Sequence, residues 1–228
     1  MRRGMVFADR AEAGRLLAER LAELRLPQPL VLALPRGGVA VGAEIAGALG
    51  APLDVLFVRK IGAPDQPELA VGAVADGSDP EIVANAEVLE TLGLDRDYLR
   101  EAASREVATL ERRRRAWEPL RPGIGPEGRS AIVVDDGVAT GMTMQAALRQ
   151  LRRRGPARLL AAVPVASREA LAMLAREADQ VVCLSAPRRF GSVGSFYRSF
   201  LQVGDEEVAA MLREARLQHA ADARERER

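Results

Sequence analysis

The chain has 228 residues, enough to bury a full core as one large domain or as a core with a smaller subdomain, and its 33 basic residues nearly cancel 32 acidic ones. No global positive field therefore points to nucleic acid, and the longest apolar runs, LVLALP and LLAAVPVA, are far shorter than the roughly 20 residues a bilayer-spanning helix needs. The start, MRRGMVFADRAEAGRLL, meets charge early and shows no apolar signal core, so the expected compartment is the cytoplasm.

In chain order, Leu16, Leu17, Leu21 and Leu24 recur at helical spacing behind a capping Asp9, which predicts a helix over about 9–25. PLVLALP (29–35) reads as a short buried strand, followed by RGG and a helix over about 39–49. LDVLFV (53–58) reads as a second buried strand, and ELAVGAVA (68–75) as a third extended segment. EIVANAEVL then offers a short strand or a helix, and DRDYLREAASREVATLERRRRAW (95–117) a charged helix. EPLRPGIGPEG, with three prolines and three glycines, is a loop. Beyond it the pattern is regular: strand SAIVVD (130–135), helix 141–154, strand ARLLAAVPV, a helix capped by Ser167, and strand QVVCL. Strands alternating with helices at this spacing predict βαβ units, hence an α/β fold whose mainly parallel, twisted sheet is flanked by helices and takes ligands at the strands' carboxyl ends. Arg112 to Arg115 stand in a row on the 95–117 helix and read as a solvated face.

Scarcity narrows the chemistry. The one cysteine, Cys183, sits in an apolar run, and the one histidine, His219, in a charged C-terminal stretch. An intrachain disulfide, a cysteine zinc site, a Ser-His-Asp triad and a Cys-His dyad are thereby set aside, and any metal has to be held by oxygen, which favours magnesium. Of the 33 basic residues 32 are arginine, and the single lysine, Lys60, falls beside Arg59 at the expected end of the 53–58 strand. An ammonium is a compact charge that arginine's planar fork does not reproduce, so the position suggests a function for it.

Three strand-to-loop junctions therefore draw attention. In PRGG, Gly37 and Gly38 allow backbone N–H groups to approach an anion beside Arg36. Arg59 and Lys60 bring two cations together. In AIVVDDGVATGMTM, Asp135 and Asp136 are adjacent at the end of a buried strand, followed by Gly137, Val138, Ala139, Thr140, Gly141, Met142 and Thr143 before a helix. Small residues and hydroxyls at a helix start cradle an anion, while paired carboxylates accept sugar hydroxyls or hold hydrated magnesium. Together these features describe a site for a phosphorylated sugar. A receiver domain lacks its later lysine here, a P-loop lacks Gly-Lys-Ser/Thr, and a nucleophile elbow lacks both its motif and a usable histidine.

IVVDDGVATGMT resembles the signature of type I phosphoribosyltransferases, LPRGGVAVG resembles their pyrophosphate loop, and VRKIGAPDQPELAVGAV is similar to a stretch of uncharacterised bacterial members. The likeness covers roughly residues 30–185. It implies a type I phosphoribosyltransferase-like, Rossmann-like core over 1–185 with a helical insertion at about 76–128, an aromatic-rich hood over 186–213 and a charged tail over 214–228. It further implies that Asp135 and Asp136 bind the ribose hydroxyls of phosphoribosyl pyrophosphate and its Mg2+, and that the loop from Val138 holds the 5′-phosphate at Ala139 to Thr143. Arg36, Gly37 and Gly38 would hold the pyrophosphate, with Arg59 and Lys60 neutralising it. Ala139 stands where many members have a hydroxyl residue and Met142 where many have glycine; both leave the backbone donors in place. The implied partners are phosphoribosyl pyrophosphate and a base-like acceptor, for which Phe190 and Tyr197 are candidate stacking residues; a homo-oligomer is compatible with the sequence. The alternative is a non-catalytic regulatory protein that binds phosphoribosyl pyrophosphate or a nucleotide.

Overall fold

In a computed structural model, which describes residues 5–77 and 80–226, the chain begins with α1 (Arg10–Ala22), β1 (Pro29–Ala33), α2 (Gly37–Leu49) and β2 (Leu53–Val55). It continues through β3 (Val58–Ala63), β4 (Gln66–Ala75), β5 (Glu81–Ala84), α3 (Ala86–Leu92) and α4 (Arg96–Trp117). The last part comprises β6 (Ser130–Val134), α5 (Met142–Arg153), β7 (Arg158–Val165), α6 (Arg168–Glu177), β8 (Gln180–Ser185) and α7 (Asp205–Arg226). Helix starts follow side-chain chemistry: Asp9, Asn85, Asp95 and Ser167 each accept a first-turn N–H of α1, α3, α4 and α6. The segment EIVANAEVL is both a strand and a helix, divided at the capping Asn85. The expected tail continues α7 as far as Arg226; residues 227–228 lie outside the described residues, as do 78–79 of the expected insertion.

Five parallel strands form one sheet in the order β2-β1-β6-β7-β8. Alternation along each strand sorts the core into two layers. Val31, Ala33, Ile132, Val134, Leu160 and Ala162 pack with α1, α2 and α7, whereas Leu30, Leu32, Ala131, Val133, Leu159 and Ala161 pack with α5 and α6. The strand order sets the site. From β1 the chain crosses through α2 to β2 on one side, and from β6 it crosses through α5 to β7 on the other. β1 and β6 are neighbours, so the crossovers diverge between them and leave a crevice at their carboxyl ends.

The second sheet, antiparallel β3-β4-β5, corrects the sequence reading of 53–58. The parallel strand ends at Val55, and Arg59 and Lys60 lie within β3 rather than at a strand terminus. The turn after Ala63 runs through Pro64 and Asp65, the latter at φ +59°, a conformation aspartate tolerates better than most residues. Gly62 sits at a register shift, where an added Cβ would lie 2.7 Å from the Pro67 carbonyl oxygen. One face of this sheet, through Ala73, Ala75 and Val83, packs on Met142 and Ala146 of α5; the other, through Ile61, Val71 and Val74, packs on α3 and α4.

Asp54, 2% exposed in β2, receives both Nε (2.7 Å) and Nη2 (2.9 Å) of Arg121, tying the loop after α4 to the sheet edge. Arg121→Gln leaves that carboxylate buried without its counter-ion and is expected to lower unfolding stability by about 3 kcal/mol. The urea midpoint measures this, and an unchanged midpoint would show that the pair does not hold the edge.

Candidate active site

The loops after β1 and β6 leave the sheet side by side, and the Leu34 N–H donates to the Val134 carbonyl at 2.8 Å. The first loop then passes through a cis peptide between Pro35 and Arg36 into α2. A Cβ on Gly37 would stand 1.9 Å from Asp136 Oδ2, and one on Gly38 would stand 2.7 Å from the Val134 carbonyl and 3.0 Å from Asp135 Cα. These glycines are therefore required for contact: the PRGG backbone lies directly on the acidic pair. The structure thus brings Arg36, Gly37 and Gly38 together with Asp135 and Asp136.

Asp135 Oδ1 accepts the Asp136 N–H at 2.9 Å. Asp136 Oδ2 accepts Arg10 Nε at 2.7 Å, with only 15% of the Asp136 side chain and 12% of Arg10 exposed. Burial pushes the Asp135 carboxyl well above the usual carboxylate range, and the adjacent Asp136 charge adds to the rise. Burial raises Asp136 as well, while Arg10 pulls it back. The Tyr197 hydroxyl donates to the Asp136 carbonyl at 2.6 Å, and burial shifts that phenol upward, so it remains a donor.

The second loop is pinned before it becomes open. The Val138 N–H donates to the Val165 carbonyl and its own carbonyl accepts from the Ser167 N–H, each at 2.9 Å, while Ser167 Oγ donates to the Ala139 carbonyl at 2.6 Å. Val138 is thereby an anchor to β7, with its N–H donating to the Val165 carbonyl rather than facing the open loop. Ala139 and Thr140 are exposed, Thr143 is half-buried, and Gly141 adopts φ +82°, the left-handed region that favours glycine. α5 starts at Met142 without a side-chain cap, so its first-turn N–H groups, which have no intrahelical acceptor, are available to an anion. The Met142 side chain is 7% exposed and packs under the β3-β4-β5 sheet, leaving the backbone as its means of contact.

The expected cations separate. Arg59 lies opposite Val74 and pairs with Glu106 of α4 at 2.5 Å, on the face of the sheet turned away from α5. Lys60 lies opposite Ala73, so it shares the face that covers Met142 and Ala146 at the start of α5. Arg36 stands at the N-terminus of α2, where Asp205 of α7 is 3.9 Å away; Asp205 also meets Arg113 at 3.7 Å.

The aromatic residues of the 186–213 segment pack on one another. Tyr197, 6% exposed, packs against Phe7 and Phe200, with ring centroids 5.5 and 5.0 Å apart, and its hydroxyl holds the Asp136 carbonyl. Phe190 stacks on Phe196 at 5.3 Å within the same cluster, which seats the C-terminal segment on Val165 and α1. Sequence reasoning also missed Arg10. Its guanidinium lies 3.9 Å from the Phe200 ring centroid, and its Nη1 donates to the Leu201 carbonyl at 2.7 Å. Nothing in the sequence distinguishes it among 32 arginines.

Among the described residues no group of three or more His, Cys, Asp or Glu is placed to hold a metal by protein ligands alone. Asp135 and Asp136 side by side supply oxygen ligands of the kind a magnesium ion takes.

Residues 6–193 match the family model of the phosphoribosyl transferase domain. A Mycobacterium tuberculosis protein provisionally named phosphoribosyl transferase Rv0571c is 45% identical over 207 residues, covering 91% of this chain and 46% of that protein, so the chain spans about half the length of the curated relatives it matches. The crystal structure of TT1426 from Thermus thermophilus is similar at TM-score 0.78 and 47% identity, over 92% of this chain and 99% of that one. The AQ2163 protein of Aquifex aeolicus shares the fold at TM-score 0.50 and 11% identity, over 81% of this chain and 76% of that one.

Two outcomes test this geometry. Gly38→Ala meets backbone rather than a movable side chain and is expected to cost about 1–3 kcal/mol as the two loops are forced apart; a stability equal to wild type would show that the contact is slack. Because the folded pKa of Asp135 is raised, the unfolded chain releases that proton first, starting near its ordinary value of about 3.9, and the folded state loses stability as pH rises from there through the raised value. Asp135→Asn removes this loss, so its melting temperature should exceed that of wild type by a margin that widens with pH; a margin constant with pH would assign the effect to another group.

Proposed function

Since the chain belongs to the phosphoribosyl transferase family, we propose that it transfers a phosphoribosyl group between phosphoribosyl pyrophosphate and a base-like acceptor. The observation that carries this reading is the contact of Gly37 and Gly38 with Asp135 and Asp136, which joins an anion-accepting backbone to a hydroxyl-accepting pair in one crevice. The loop that carries the acidic pair leads into the uncapped start of α5.

In this reading Asp135 and Asp136 accept hydrogen bonds from the ribose hydroxyls and orient the ring. The 139–143 loop and the first turn of α5 hold the 5′-phosphate. Arg36 and the backbone of Gly37 and Gly38 hold the pyrophosphate, and Lys60 adds charge from the neighbouring sheet. An acceptor nitrogen forms its bond to the anomeric carbon as the bond to the pyrophosphate oxygen breaks, the electron pair leaves with pyrophosphate, and the acceptor's proton passes to solvent. Positive charge grows on the ring beside the carboxylates while negative charge grows beside Arg36 and Lys60, so the two halves of the site stabilise opposite ends of one transition state. When bound, Mg2+ would be held by Asp135 or Asp136 together with the substrate's own oxygens, and it supplies further neutralisation of the leaving group. No enzyme nucleophile is required, in keeping with a chain whose one histidine, His219, lies in α7 and whose one cysteine, Cys183, lies in β8.

Incubating the protein with magnesium, phosphoribosyl pyrophosphate and a panel of purine, pyrimidine and other nitrogen bases should release pyrophosphate with at least one acceptor. Lys60→Arg, which keeps the charge but replaces a compact ammonium with a planar fork, should lower that rate about ten-fold or more. Binding of phosphoribosyl pyrophosphate without turnover on any base would favour the regulatory alternative, and absence of binding would overturn both.

A further inference from the structure

We propose that Arg10 is a positioning residue for the ribose half of the site, fixing the side-chain orientation in which Asp136 meets its ligand. The inference rests on the phosphoribosyl-transfer reading above and adds a residue from outside its loops.

Arg10 is held at three points. Its Nε donates to Asp136 Oδ2 and its Nη1 to the Leu201 carbonyl, both at 2.7 Å, while its guanidinium carbon lies 3.9 Å from the Phe200 ring centroid. A planar fork presents two donor edges and a stacking face in one rigid group. The backbone beneath it is equally fixed. Arg10 is the first residue of α1, whose Leu17 and Leu21 are fully buried, and the preceding Phe7 donates to the Phe196 carbonyl and accepts from the Arg198 N–H, each at 2.8 Å.

Asp136 is gripped from the same side. Its carbonyl accepts from the Tyr197 hydroxyl and its Oδ2 from Arg10, so the segment from Tyr197 to Leu201 holds both its main chain and its carboxylate. With Oδ2 committed to the guanidinium, the direction of the carboxylate's remaining acceptor sites is determined. Residues that fold onto the sheet far along the sequence from the β6 loop thereby set the geometry seen by a sugar hydroxyl. In this reading Arg10 acts through Asp136.

The test separates the two halves of the site with two probes, ribose 5-phosphate and inorganic pyrophosphate, each titrated by calorimetry with magnesium present. Arg10→Gln should weaken ribose 5-phosphate about ten-fold, as expected for loss of a charged hydrogen bond that orients the ligand's partner, and leave pyrophosphate within about three-fold of wild type. Arg10→Lys, which keeps the charge, should recover part of the loss and supplies the same comparison if the glutamine variant does not fold. Equal loss for both probes would reduce Arg10 to a purely structural residue, and undiminished ribose 5-phosphate binding in both variants would overturn the proposal. If wild-type protein binds neither probe, the phosphoribosyl reading itself fails and the inference falls with it.

Discussion

The structure turns on one close approach: the backbone of Gly37 and Gly38 lies against the main chain and carboxylates of Val134 to Asp136. It exists because β1 and β6 are adjacent parallel strands whose crossovers run to opposite sides, so two loops emerge side by side at one edge. A methyl group at Gly38 would meet backbone and separate them. The crevice, the position of Arg36 at the start of α2 and the burial of the acidic pair all follow from this contact.

Holding two carboxylates in that position is electrostatically unfavourable, and the structure distributes the compensation widely. Asp136 has a guanidinium from α1, whereas Asp135 has mainly a backbone donor and bears the larger upward shift. Such strain is stable only when the surroundings over-determine it, and here they do: α1, the β1 loop and the Tyr197 segment all close on the same two residues. A polyol or a cation entering the crevice would relieve a penalty already present, which favours binding of ligands that donate hydrogen bonds to those carboxylates or coordinate them.

Much of this was legible in the chain. The helix from Arg10, the strand from Pro29, the 96–117 helix and the regular second half follow hydrophobic period and capping chemistry, which are local. The acidic pair and the glycine-rich loops were legible because such residues at strand ends carry few other meanings. The second sheet was not, since its turn relies on Pro64 and a left-handed Asp65, while VRK continues an apolar run that looks uninterrupted. The hydrogen bond from Tyr197 to the Asp136 carbonyl was not legible either, because an aromatic that caps a carbonyl and one that stacks a base look alike in the sequence. Arg10 gave no signal at all, since its partners lie 126 and 191 residues away and only the folded chain brings them together.

The rarity of lysine has a practical side that follows from where β3 places it. Lys60 bears the only side-chain amine in the sequence, and it lies on the face of the small sheet that rests on α5. Reagents that acylate side-chain amines are therefore directed to a single address on the molecule, while the 32 arginines pass unmarked. The protein carries a built-in reporter: whatever comes to cover that face is readable as protection of one nitrogen atom.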